Sequence, residues 1–152
     1  MISVIVPTLN SAAGLQTLLP PLVPAAMDGL VREVIAADGG STDATLEICE
    51  DAGVKVVVGG VLAASAAARG DRLLILPDDL TLRPGWEERL RAHLARGGST
   101  ARVVGDREPG LLGRLKSPAL GLLVDRGKLA GRAETREVAR LARTLGRGAP
   151  RI

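Results

Sequence analysis

Four short apolar runs, residues 2–6, 33–37, 54–58 and 72–76, are separated by stretches with a helical pattern. Each run is too short to be a helix of its own. The first, Ile2–Val6, is β-branched and apolar at nearly every position, as a buried strand should be, and the other three are strand-like. Pro7 stops the first run. Residues 11–19, SAAGLQTLL, read as a helix cut off by Pro20-Pro21, and residues 22–30 continue it after a kink. Residues 43–52 form a helix with Ser41, Thr42 and Asp43 as capping candidates and Gly53 as terminator. Residues 61–69 are alanine-rich and helical, and a further helix opens at Pro84 and ends at Gly97-Gly98. Strand and helix in strict alternation predict an α/β fold, a Rossmann-like and mostly parallel sheet flanked by helices.

Beyond residue 99 the pattern changes. A short strand is expected at 101–104, irregular chain around Pro109, Gly110, Gly113 and Pro118, and a strand at 120–124. Residues 134–145 read as an amphipathic helix, with Val138, Leu141, Ala142 and Leu145 on one face and Arg136, Arg140 and Arg143 mostly on the other. At 152 residues the chain is expected to form a single domain.

Composition narrows the function. Only 1% of residues are aromatic, with one Trp and no Tyr or Phe, so the core must be aliphatic. Base stacking would have Trp86 alone to rely on, which argues against single-strand nucleic acid. No duplex-recognition motif is present either, so no nucleic-acid partner is expected. The net charge of +3 comes with arginines that thicken toward the C-terminus. That suits phosphate-bearing ligands, or peripheral contact with an anionic membrane through the basic C-terminal helix; a solvated helix face is the plainer alternative. Cys49 stands alone, which excludes an internal disulfide and fits a reducing compartment. No apolar run approaches the roughly 20 residues that span a bilayer. With no basic segment before the first apolar stretch, a cytoplasmic protein is expected, one that touches at most the inner face of the membrane.

In parallel sheets, ligands bind beyond the carboxyl ends of the strands. Asn10, Asp38 and Asp79 all fall just past predicted strand ends, so one edge should collect them. In Asp38-Gly39-Gly40-Ser41 the carboxylate can accept hydrogen bonds from a base or a ribose, while the glycines allow close approach of a ligand. A mere capping turn is the other reading. In Asp78-Asp79, adjacent carboxylates repel, and Mg²⁺ or Mn²⁺ with phosphate oxygens would relieve that; an Asp-rich turn is again the alternative. His93, solitary on a predicted helix, reads as a surface residue, and Trp86 as a core or hinge anchor. Ser99 and Ser117 lack a nucleophile elbow, and Gly59-Gly60 lacks the Lys-Ser/Thr of a phosphate loop.

Three stretches, SVIVPTLN (3–10), EVIAADGGSTDAT (33–45) and ARGDRLLILPDD (68–79), followed by Pro84-Gly85-Trp86, resemble the nucleotide-diphospho-sugar-binding half of the GT-A glycosyltransferases, family 2 in particular. The resemblance covers about the first 95 residues in the family's order. It implies a nucleotide-sugar-binding half (1–98) and a reduced acceptor half (99–152). It also implies a nucleotide-diphospho-sugar donor, an unidentified acceptor, and Mn²⁺ or Mg²⁺ as cofactor. Carried over by motif, Pro7, Thr8, Asn10, Asp38, Gly39 and Asp78 would bind substrate, and Asp79, as the last residue of the family's Asp-X-Asp motif, would bind the metal. Glu137 is what survives of the family's acidic helix as a base. Pro77 stands where the first aspartate of that motif would be, and residues 59–65 lack the family's cation and asparagine. A degenerate relative that binds nucleotide or a partner without transfer is the alternative. The shortened acceptor half leaves room for completion by a second subunit.

Overall fold

The computed structural model describes residues 1–107 and 118–152. In chain order the elements are β1 (Ile2–Thr8), α1 (Ala12–Leu18), α2 (Leu22–Met27), β2 (Val31–Asp38), α3 (Thr45–Asp51), β3 (Lys55–Val58), α4 (Val61–Ala67), β4 (Arg72–Ile75), β5 (Leu80–Thr81), α5 (Trp86–Ala95), β6 (Ala101–Arg107), β7 (Ala119–Asp125), a 3₁₀ turn (Arg126–Leu129) and α6 (Val138–Thr144). One seven-stranded sheet runs in the order β3-β2-β1-β4-β7-β6-β5. β3, β2, β1 and β4 are mutually parallel, while β7, β6 and β5 join antiparallel. The sheet is therefore an α/β parallel half extended by an antiparallel flank. The irregular chain expected around Pro109 to Gly113, and Ser117, lie outside the described residues.

The inner strands of the parallel half are mainly apolar because helices cover both faces, whereas the edge strand β3 is largely exposed and Arg32, Glu33 and Arg72 mark the less covered starts of β2 and β4. Every residue of β1 is buried. Period-two alternation then sorts the side chains. Val4, Val6, Ala36, Leu74 and Leu76 belong to the core under α1, α2 and α5. Ile5, Ile35, Ala37, Leu73 and Ile75 belong to the core under α4 and α6. Trp86 is 7% exposed at the start of α5, the core anchor expected of it.

Several boundaries differ from the sequence reading. β1 continues through Pro7 to Thr8. The Leu76 amide donates to the Ile5 carbonyl, and β4 pairing ends at Ile5↔Ile75. Pro7, two residues on, turns its missing N–H to that same side, where no ladder bond is needed. The strand expected at 101–104 extends to Arg107, where β5 pairs with it. The C-terminal tail lies along the start of the same strand, with the Arg102 amide bonded to the Pro150 carbonyl and the Ile152 amide to the Arg102 carbonyl. His93 is buried at 7% exposure rather than on the surface, and packs against Gly98, which closes the helix end over the ring. The helix expected from 134 begins only at Val138. Residues 134–137 are pulled away from helical pairing by tertiary hydrogen bonds described below. Among the described residues, no helix is long and apolar enough to cross a membrane.

Candidate functional site

After β1 the chain adds β2 and β3 on one side, and then β4 on the other. The strand order therefore reverses between β1 and β4, and a crevice at the carboxyl ends of the two strands follows from that reversal. The loop after β1 (9–11), the turn after β2 (39–44) and Pro77-Asp78-Asp79 after β4 all lie on this edge. Asp38 and the aspartate pair are two strand spacings apart, roughly 10 Å.

A hydrogen-bond web ties the three loops together. The Asp38 carboxylate accepts from the Thr8 hydroxyl at 2.9 Å, from the Gly40 and Ser41 amides at 2.9 Å each, and from the Ser41 hydroxyl. Ser41 Oγ in turn accepts the Asn10 amide at 2.9 Å. Asn10, in the left-handed region at φ 51°, turns its Oδ1 back to accept the Thr42 and Asp43 amides at 2.8 and 3.3 Å. Ser11 donates its hydroxyl to Asp78 and its amide to Thr45 Oγ1 at 2.8 Å. Asp43 accepts from the amide and hydroxyl of Thr45 and from the Ala12 amide. It thus closes the turn ahead of α3, whose N-cap position is Ala44 rather than Ser41, Thr42 or Asp43.

Electrostatics follow from these partners. Burial alone would raise the Asp38 pKa. The hydrogen bonds from Ser41, Gly40 and Thr8 overcome it and hold the carboxyl at about 2, below its ordinary 3.8. A carboxylate offers about four lone-pair positions, and here the chain's own donors fill them. Beneath the web, Cys49 is buried, and burial together with the Asp38 charge pushes its thiol up. That makes it an unreactive core residue.

Asp79 is placed differently. Its side chain is 51% exposed, and its Oδ2 lies 3.1 Å from Arg107 Nε on β6. That nitrogen is buried and makes no aligned hydrogen bond among the described residues, so the contact is an ion pair. Beside it, Ala13, Gly14, Thr17, Asp78, Asp79, Leu80 and Thr81 line a hollow of about 160 Å³. Gly14 is required there, since a Cβ on it would lie 2.3 Å from the Asp78 carbonyl oxygen.

The edge over β1, β2 and β3 is covered by residues 134–137. The Glu134 carboxylate accepts the Leu62 and Ala63 amides at 2.8 and 3.0 Å, and the Thr135 carbonyl accepts the Val61 amide at 2.9 Å. Burial would raise the Glu134 pKa, but these amide bonds outweigh it and lower it. Arg136, expected on a solvent face, instead donates Nη2 to the carbonyls of Thr8 at 2.9 Å and Ala37 at 3.2 Å. Its guanidinium lies so close over Gly39 that a Cβ there would fall 1.6 Å from Nη1. Glu137 is exposed at the N-cap of α6.

The site residues read from motifs therefore divide. Pro7, Thr8, Asn10, Asp38, Gly39, Asp78 and Asp79 lie together on one edge. Glu137 reaches that edge's neighbourhood only through Arg136, its predecessor in the chain. Ser11, Arg107, Glu134 and Arg136 did not stand out in the sequence. Ser11 alone had a local signal, as the residue following Asn10; the others arrive from distant segments with no motif to mark them.

An open α/β sheet with polar loops gathered at its switch point belongs to the class of folds that take ligands at that edge, and comparison with known proteins narrows it. The model for glycosyl transferase family 2 matches residues 3–117, and the chain belongs to that family. No curated protein matches the sequence. Glucosyl-3-phosphoglycerate synthase from Mycobacterium tuberculosis, solved with Mn²⁺, uridine diphosphate and glucosyl-3-phosphoglycerate, is 24% identical and superposes with a TM-score of 0.71, covering 99% of this chain and 69% of that one. The same enzyme with Mn²⁺, UDP-glucose and phosphoglyceric acid is 25% identical with a TM-score of 0.68, at 99% and 69% coverage. A further crystal structure, of a mycobacterial protein, is 25% identical with a TM-score of 0.69, covering 100% of this chain and 64% of that one. These likenesses establish the GT-A type of fold.

Proposed function

We propose that the protein is a sugar transferase that takes its donor as a nucleotide-diphosphate sugar on the carboxyl edge of β1, β2 and β4. The observation that carries this reading is the hydrogen-bond web joining Asp38, Ser41, Asn10, Ser11 and Asp78 across the switch point. In this reading the base meets the ends of β1 and β2, where Pro7 and Thr8 form one wall and Gly39 gives close approach. Asp38 sets the 39–41 turn through the Gly40 and Ser41 amides. Asn10 holds the 42–43 amides in register, and Ser11 fixes Asp78.

The donor set fits a divalent cation only as a shared site. Asp79 brings one half-exposed carboxylate, and Asp78 a second that already accepts from Ser11. Among the described residues no cluster of three His, Cys, Asp or Glu side chains forms a cage. Diphosphate and water would supply the remaining oxygens, the usual arrangement for Mg²⁺ and a natural one for Mn²⁺. When bound there, the cation would neutralise charge on the departing nucleoside diphosphate. Glu137 is the proposed base: it would take the acceptor's hydroxyl proton as that oxygen bonds to the anomeric carbon. The bond to the nucleoside diphosphate breaks as the new one forms, and its electron pair leaves with the phosphate.

A second reading, nucleotide binding without transfer, is favoured by the Arg107 ion pair on Asp79 and by the saturated Asp38. Thermal unfolding with UDP- and GDP-sugars and Mn²⁺ tests the donor site. The proposal expects stabilisation in the wild type that is lost in Asp79→Ala; no stabilisation, or equal stabilisation in both, contradicts it. Metal-dependent release of UDP or GDP separates transfer from binding alone.

A further inference from the structure

The segment at 134–137 lies where, on the donor reading above, the base should go. Thr8 and Ala37 present their carbonyls at the edge, and Gly39 leaves a gap above the turn. A planar group with hydrogen-bond donors would fill that space, and the Arg136 guanidinium is such a group. Its two bonds reach across 128 and 99 residues of chain to the ends of β1 and β2. Gly60 completes the fit at β3, since a Cβ there would lie 2.6 Å from Glu134 Oε1 and 2.7 Å from the Thr135 carbonyl oxygen. The segment thus seats over glycines at the ends of two adjacent strands.

The way this segment is held distinguishes it from core. Val138, Leu141 and Ala142 are buried, so α6 is anchored by apolar packing. Upstream of Val138 the attachment is polar: Glu134 to the Leu62 and Ala63 amides, the Thr135 carbonyl to the Val61 amide, and Arg136 to two carbonyls. Glu134 and its bonds are exposed, while the two Arg136 bonds are partly buried and open only when the segment lifts. Exposed polar contacts exchange for water at little net cost, and such segments open locally at the low end of a protein's stability range.

We infer that residues 134–137 are an internal occupant of the donor site, with the Arg136 guanidinium standing in for the nucleobase, and that donor binding displaces them. The inference rests on the donor reading. It adds that the closed chain competes with its own ligand, so the observed affinity is reduced by the fraction of molecules in which the segment is seated. Because Glu137 follows directly, displacement would also reposition the proposed base when donor arrives.

Calorimetric titration of UDP with Mn²⁺ into wild type, Arg136→Ala and Glu134→Gln tests this, with circular dichroism melting to verify that each variant is folded. Both variants are expected to bind UDP about tenfold more tightly than wild type. In wild type, UDP with Mn²⁺ should accelerate tryptic cleavage after Arg132 and Arg136. Unchanged or weaker UDP binding in the folded variants overturns the inference and leaves the donor site standing, as does slower cleavage on adding UDP. Absence of UDP binding in all three proteins removes the donor reading and this inference with it. If Arg136→Ala fails to fold, the Glu134→Gln comparison and the cleavage assay decide.

Discussion

Replacing Asp38 by Asn tests the web at its centre. The wild-type carboxylate receives four hydrogen bonds, two of them backbone amides converging on Oδ2. An asparagine keeps one acceptor oxygen and must set its NH₂ group against donors on the other side. Because Asp38 is only 3% exposed, water cannot make good the loss. Hydrogen bonds to a charged group contribute about 1.5–3 kcal/mol each, and a buried unmatched donor costs about 1–3 kcal/mol, so a loss near 3 kcal/mol is expected. The pH dependence gives a second measure. A carboxyl held at about 2 against an ordinary 3.8 contributes about 2 kcal/mol of stability. Its folded pKa is depressed, so that contribution is complete above pH 4 and is lost as the pH falls from about 4 toward 2. Urea unfolding of both proteins at pH 7, 4 and 2.5 would show it. The variant should lose about 3 kcal/mol at pH 7, and the gap should narrow at low pH. A variant within 0.5 kcal/mol of wild type at pH 7, or a gap that does not change with pH, refutes the reasoning.

Other perturbations have distinct signatures. Asp79→Asn should lower the melting temperature of the metal-free protein only slightly, because the Asp79 end of the pair is half exposed, such pairs contribute roughly 0–1 kcal/mol, and the Asn carbonyl oxygen can still face the buried Arg107 Nε; stabilisation by Mn²⁺ with UDP should disappear in the same melting experiment. Gly14→Ala drives a Cβ into the Asp78 carbonyl and should cost about 1–3 kcal/mol in urea unfolding while weakening UDP binding. Trp86→Ala removes the sole aromatic side chain from the core and should cost about 3–5 kcal/mol, read as a lower urea midpoint by circular dichroism.

The parallel half of this fold is written in local chemistry. Runs such as Ile2–Thr8 are apolar on both faces because both are covered, and that pattern survives without knowledge of neighbours. The gathering of Asn10, Asp38 and Asp79 on one edge follows from the alternation itself, since every parallel strand ends on the same side. What the sequence hides is set by contacts remote along the chain. Residues 134–137 carry a helical pattern, yet bonds from Glu134 to the start of α4 and from Arg136 to the ends of β1 and β2 outweigh it. Arg107 meets Asp79 only because β5 pairs with β6. His93 is the exception: it shares the buried face of α5 with Trp86 and Leu90 at i, i+4 and i+7, a periodicity the sequence does carry, and Gly98 packs against its ring. The saturation of Asp38 was half legible: the turn was visible, but not that Thr8 from the next strand supplies the last donor.

The central claim is that one donor molecule lies along the edge from the ends of β1 and β2 to Asp79. A crystal structure of the protein with UDP and Mn²⁺ tests it most directly. The account predicts the uracil over Gly39 with Arg136 displaced, and the metal held between Asp79 and the diphosphate. Nucleotide density on another face, or Arg136 still seated over Gly39 with UDP bound elsewhere, would contradict it.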